Sequence, residues 1–271
     1  MMVCASRRCS PFLLLSVLPQ PATLQTELFG MSSLFLGMKI QFTVLLALTV
    51  PCNWGMHNVT ASNTADSISW DFLVAFRNGD PAYSLALFHC FSGQVMTVVI
   101  GAHNLMDDSV DRIPVKFYHI YPGYTYLFNN DIMLLQLENP VQRGAVVDWI
   151  SIPKTNDDIE ANTICSIAGW GRTSSDGSQS DHLMEANVRI IDSRKCKKDW
   201  GHYYSSVNMM CAGSGHGFCQ GDSGGPLVCN NVAVGIVSFF EAGNCDKPIV
   251  PNVYTKISQF LPWIKEVINS V

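Results

Sequence analysis

Six consecutive residues, Gly221-Asp222-Ser223-Gly224-Gly225-Pro226, set one hydroxyl among glycines. A serine alcohol is a weak nucleophile. It acts only with a base to take its proton, a group to orient that base, and donors for the oxyanion that forms. Glycines on both sides let the backbone turn sharply and aim N–H groups inward. The N–H groups of Gly221 and Ser223 are the predicted oxyanion hole, and the chemistry is acyl transfer through Ser223.

The hexapeptide resembles the nucleophile motif of the trypsin/chymotrypsin family of serine proteases, in which histidine and aspartate precede the serine. Asn130-Asp131-Ile132-Met133-Leu134-Leu135 is similar to the family's aspartate strand, 92 residues upstream (131 to 223). A carboxylate opening so apolar a strand needs a partner once buried. His89-Cys90 resembles the end of the family's histidine motif, although Leu87-Phe88 precede it where two alanines are usual. Val98-Val99-Ile100-Gly101-Ala102-His103-Asn104-Leu105 resembles a strand and turn of the leukocyte and mast-cell branch, which leaves His103 as a structural turn residue. The resemblance implies catalytic His89, Asp131 and Ser223, no cofactor and no metal.

Further motifs agree. Cys165 to Gly171, ending Gly169-Trp170-Gly171, resembles a family strand, and Val237-Ser238-Phe239 resembles the segment that pairs with substrate backbone, with Ser238 expected beside Asp131. The family pattern implies the disulfides Cys165–Cys229, Cys196–Cys211 and Cys219–Cys245. The usual partner of Cys90 is not found between Cys52 and Cys90. An active member begins its mature chain with an Ile/Val-Gly-Gly type sequence, whose ammonium pairs with the aspartate before the nucleophile, here Asp222. Nothing between Met38 and His89 reads that way. Two readings stay open, a chain that lacks an exon segment and a diverged, inactive homologue acting as a secreted binding protein.

For specificity, the resemblance puts Gly217, Phe218, Gln220, Ser238, Phe239, Phe240 and Asn252 around the substrate. Gly217 stands where trypsins carry aspartate, Phe218 partly fills the slot, and Phe240 replaces a glycine at its mouth. Physically this is a shallow apolar pocket for small aliphatic residues. A branch member with the same Gly-Phe pair cleaves after arginine, so both preferences stand.

The elements that must hold these groups read as β. Val95–Ile100, Asp131–Leu137, Asn187–Ile191, Ala233–Phe239 and Val253–Ile257 are apolar runs separated by Gly and Asp/Ser clusters such as Thr173 to Gly177. Ile257, Phe260, Leu261, Ile264, Val267, Ile268 and Val271 recur every three or four residues, a closing amphipathic helix that packs on the body. The fold class is all-β. The family resemblance implies two six-stranded antiparallel barrels, the first incomplete, with a C-terminal helix. The expected boundaries are a leader over 1–56, a linker over 57–69, barrels over 70–151 and 152–256, and the helix over 257–271. Trp70 to Gly79 is the expected remnant of the first strand.

Composition narrows the setting. With a net charge of −5 and no basic block, nucleic acid or an anionic membrane is not a partner. Ten cysteines without CxxC pairs or a histidine cluster point to disulfides in an oxidising compartment rather than to zinc. Met38-Lys39 followed by the apolar run Phe42–Val50 reads as a signal peptide, with Met38 the expected start, and an anchor over Met31–Val50 is interrupted by Lys39 and Gln41. Asn58-Val59-Thr60 is a glycosylation sequon. The expectation is a secreted or granule-stored monomer acting on protein or peptide substrates and met by serpin-type inhibitors, without stable membrane insertion.

Overall fold

The computed structural model describes residues 74–77, 82–86, 97–107, 111–125, 128–142, 144–145, 147–148, 150–213, 215 and 217–270. Strands β1 (Val74–Arg77), β2 (Ala82–Ala86), β3 (Thr97–Ile100), β4 (Asp111–Ile120) and β5 (Met133–Leu137) form one antiparallel sheet in the order β1-β2-β5-β4-β3. The other six strands close into a barrel, in the order β10-β11-β8-β7-β6-β9. They are β6 (Ile164–Gly169), β7 (Met184–Ile191), β8 (Met209–Ala212), β9 (Pro226–Cys229), β10 (Val232–Phe239) and β11 (Asn252–Lys256). The fold is therefore mostly β, with one complete six-stranded barrel and a five-stranded first sheet among the described residues. Closure leaves no edge on the second unit.

Patterning explains the two kinds of strand. In β7 the burial alternates residue by residue, with Ala186, Val188 and Ile190 inward, as a strand with one wet face requires. All of β5 is buried, Gln136 included, which interrupts an otherwise apolar run and whose Oε1 lies 3.2 Å from His119 Nε2. A short helix, α1 (Ser193–Trp200), follows β7. The Asp192 carboxylate caps it by accepting from the Arg194 N–H at 2.9 Å, and Cys196 is its buried residue.

The C-terminal stripe divides into two elements rather than one helix. Ile257–Phe260 is a 3₁₀ turn, and helix α2 runs Leu261–Asn269 with Pro262 in its first turn, where a missing N–H costs nothing. Leu261, Ile264 and Ile268 face inward. They share a core cluster with Ile132 and Leu134 from the β5 segment, Ile152, and Ala233 and Ile236 of β10. The helix thus seals the seam between sheet and barrel. Trp170, fully buried, crosses the same seam to pack on Val99 and Ala102.

Among the described residues three disulfides lie in or beside the barrel, Cys165–Cys229, Cys196–Cys211 and Cys219–Cys245. Bridges of this kind typically add about 2–4 kcal/mol each. Cys90 and the segments 1–73 and 87–96 lie outside the described residues, and with them fall the leader, the linker and the histidine motif.

Candidate active site

The turn that carries Ser223 is built around a buried carboxylate. Asp222 is 1% exposed and accepts the N–H of Gly171 at 2.8 Å and of Cys219 at 2.9 Å. The glycines of Gly169-Trp170-Gly171 make room for it. A Cβ on Gly169 would lie 2.0 Å from the Asp222 Oδ1, and one on Gly171 would lie 2.5 Å from its Cγ. Burial pushes the Asp222 carboxyl up from its ordinary 3.8 to about 6, against lowering effects led by the two N–H bonds.

The backbone around Ser223 is held in the same way. Gly221 (φ 93°) and Gly224 (φ 85°) occupy the left-handed region, which glycine alone enters without strain. Asp222 N–H bonds to Cys219 O at 3.1 Å and Gly225 N–H to Asp222 O at 3.0 Å. Among the described residues no acceptor takes the N–H of Gly221 or Ser223. The disulfide to Cys245 anchors the start of this turn through Cys219.

The turn is tied to β10, and β10 to Asp131. Gly224 N–H donates to Val237 O at 2.9 Å, and Val237 N–H donates back to Gly225 O at 2.7 Å. The β10–β11 register shifts between Val237 and Phe239, a bulge that re-aims the residue between them. That residue is Ser238, whose Oγ donates to Asp131 Oδ2 at 3.3 Å. Thr255 of β11 donates its Oγ1 to the Asp131 carbonyl at 3.0 Å. Asp131, Ser238 and Thr255 are all buried. Burial, and then the Asp131 charge, push the nearby Tyr124 phenol up to about 12.

His89 lies outside the described residues. Strand β2 ends at Ala86, paired with Met133 of β5, two residues from Asp131. His103 is exposed, and its carbonyl accepts the Trp170 indole N–H at 3.1 Å, a structural contact.

Of the predicted specificity residues, Phe218 and Phe240 are in ring contact, and Gly217 lies against Asn252. Phe218 is 1% exposed, edge-on to Phe240 at 5.7 Å and to Tyr254 at 5.3 Å between ring centroids. Gly217 backs onto Asn252, whose Nδ2 would lie 2.1 Å from any Cβ there. Asn252 is buried and Gln220 exposed. Phe239 stacks on Phe128 at 5.3 Å and meets Trp200 edge-on at 5.1 Å. Sequence reading missed Thr255 and the carboxylate-seating role of Gly169 and Gly171. The signal for the glycines was present in Gly-Trp-Gly; that for Thr255 was not, because its bond spans 124 residues.

Comparison with known proteins agrees with this geometry. The trypsin family's sequence profile matches residues 86–264. Human granzyme B is 39% identical over 190 residues, covering 68% of this chain and 75% of that protein. Human cathepsin G is 35% identical over 194 residues, covering 69% and 73%. The solved structure of neuropsin, a serine protease of mouse brain, superposes with a TM-score of 0.67 at 32% identity, over 76% of this chain and 91% of the other. The chain belongs to the trypsin-like serine proteases, on the leukocyte granule branch with the granzymes and cathepsin G.

Proposed function

We propose that this serine endopeptidase works through Ser223, His89 and Asp131 and prefers small aliphatic residues before the cut bond. His89 takes the Ser223 Oγ proton as Oγ attacks the peptide carbonyl, and the oxyanion is met by the N–H groups of Gly221 and Ser223. His89 then gives that proton to the leaving amine, and an acyl-enzyme forms. Water, deprotonated by His89, hydrolyses the ester and returns Ser223. Asp131 orients the imidazole and offsets its charge. The observation that carries this reading is the nucleophile turn, where a buried Asp222 fixes the backbone while two N–H groups beside Ser223 remain unclaimed among the described residues.

The pocket supports the preference. Phe218 packs edge-on to Phe240 and Tyr254 beside the turn, and Asn252 against Gly217 offers no carboxylate to an arginine. A side chain with one to three carbons meets apolar surface there without burying a charge. The disulfides and the granzyme and cathepsin G relatives support secretion and granule storage, with protein substrates and serpin-type inhibitors as partners.

One observation favours the rival reading of a non-catalytic binding protein. Asp222 accepts hydrogen bonds from the backbone N–H groups of Gly171 and Cys219, and its carboxyl is pushed up to about 6. A fluorophosphonate probe decides between them. Applied to the full chain, it is expected to label Ser223 and no other serine, as read by peptide mapping. An unlabelled Ser223 would leave the binding reading in possession.

A further inference from the structure

The loop that delivers Asp131 is strained. Phe128 (φ 58°) and Asn130 (φ 57°) both lie in the left-handed region, which asparagine tolerates and phenylalanine does not. Such backbone persists only where its surroundings over-determine it. Within the loop, Thr125 N–H donates to Asn129 O at 3.1 Å and Asn130 Nδ2 donates to Gly123 O at 3.0 Å.

The decisive contact comes from the barrel. Asn208, the residue before β8, is 9% exposed and lies 78 residues beyond Asn130 in the chain. Its Nδ2 donates to Asn129 Oδ1 at 2.7 Å and to Asn130 Oδ1 at 2.8 Å. Its own carbonyl accepts the Lys256 N–H at 2.9 Å, and Met209 pairs with Thr255. Asn208 and Thr255 are therefore neighbours in the barrel wall, and both reach across the seam to consecutive residues of one loop. Thr255 holds the Asp131 carbonyl, and Asn208 holds the two residues before it.

We propose that Asn208 is a positioning residue for Asp131, fixing the left-handed turn that sets the carboxylate toward the catalytic histidine. The assignment rests on the reading of Asp131 as the group that orients His89. The donor count gives it a specific form. One NH₂ group satisfies two carbonyl acceptors, so the role needs a donor at this position and not merely a side chain of the same volume. An aspartate there matches the shape but turns acceptor toward acceptor.

The experiment uses the full chain as wild type, Asn208→Asp, Asn208→Ala and Asn129→Ala, the last removing one acceptor while leaving Asn208 in place. Wild type is first treated with a fluorophosphonate probe; failure to label Ser223 retires the catalytic reading and this assignment together. Given labelling, kcat and KM are measured on a peptide p-nitroanilide with valine before the cut bond, across pH 5 to 9. Asn208→Asp and Asn208→Ala are expected to lower kcat by about ten- to a hundredfold, the cost of a misplaced catalytic group, with KM little changed. A carboxylate beside an imidazole raises its pKa, so a displaced Asp131 is expected to move the acid limb of kcat to lower pH by about one unit. Asn129→Ala shifts both in the same direction by less, and serves if the Asn208 variants do not fold. Labelled wild type with variants whose acid limb stays put, or whose loss is confined to KM, overturns the assignment and leaves the catalytic reading standing.

Discussion

Asp222 shows how a single residue can make the stability of this protein depend on pH. Burial raises its carboxyl from 3.8 to about 6. Folding is therefore least opposed below about pH 4, where both states hold the proton, and the advantage erodes as pH climbs through about 6. The gap amounts to roughly 3 kcal/mol of stability lost between pH 4 and 7. Asp222→Asn is expected to flatten that fall, as read by denaturant midpoints at pH 4, 5, 6 and 7; an equally steep fall in the variant would assign the slope elsewhere. The same pocket makes Gly169 intolerant. Gly169→Ala drives a methyl to 2.0 Å from the carboxylate oxygen and is expected to destabilise by roughly 1–3 kcal/mol while slowing fluorophosphonate labelling of Ser223. Much of this site was legible in the chain. Gly221-Asp222-Ser223 and Gly169-Trp170-Gly171 are contiguous strings whose residue types state their own backbone needs. What stayed hidden was the meeting of the two, because the Gly171–Asp222 bond joins residues 51 apart and no local pattern encodes it.

At the scale of elements, the bulge in β10 does the work of aiming. A regular strand would send Ser238 to the face opposite its neighbours, whereas the register shift between Val237 and Phe239 brings its hydroxyl to Asp131. The bond is buried, and removing the donor leaves a carboxylate oxygen short of one partner. Ser238→Ala is expected to cost about 1–3 kcal/mol of stability and to lower kcat more than KM, as measured by calorimetry and steady-state kinetics. Strand periodicity placed β5, β7, β10 and β11 to within a few residues, since apolar runs and alternation follow directly from the pleat. It could not reveal the bulge, which is a property of two paired strands. Nor did it separate the 3₁₀ turn Ile257–Phe260 from α2, because the apolar stripe runs through both; Pro262, tolerated only in a helix's first turn, was the signal that α2 starts at Leu261.

For the whole molecule, the question is whether sheet and barrel behave as one body. Their junction is made of apolar contacts and polar ties together. Ile132 and Leu134 of the first unit share a core with Ala233 and Ile236 of the barrel and with Ile257, Phe260, Leu261, Ile264 and Ile268. Tyr121 adds edge-on contacts with Phe260 at 4.8 Å and with Trp263 at 5.2 Å. Asp131 sits at this junction, so the arrangement of the candidate site depends on the seam staying closed. Ile264 is the sensitive point, 1% exposed and central to the helix face that closes it. Ile264→Ala removes three carbons from a packed interior and is expected to cost about 2–5 kcal/mol, depending on how far the seam collapses around the gap. Because the core is shared, the loss should lower a single unfolding transition seen alike by tryptophan fluorescence and far-ultraviolet circular dichroism. If the two probes separate in the variant, with the barrel melting later than the first sheet, the seam is a docking surface between independently stable units. In that case loss of fluorophosphonate labelling should track the earlier transition, because Asp131 leaves with the first sheet while Ser223 stays in the barrel.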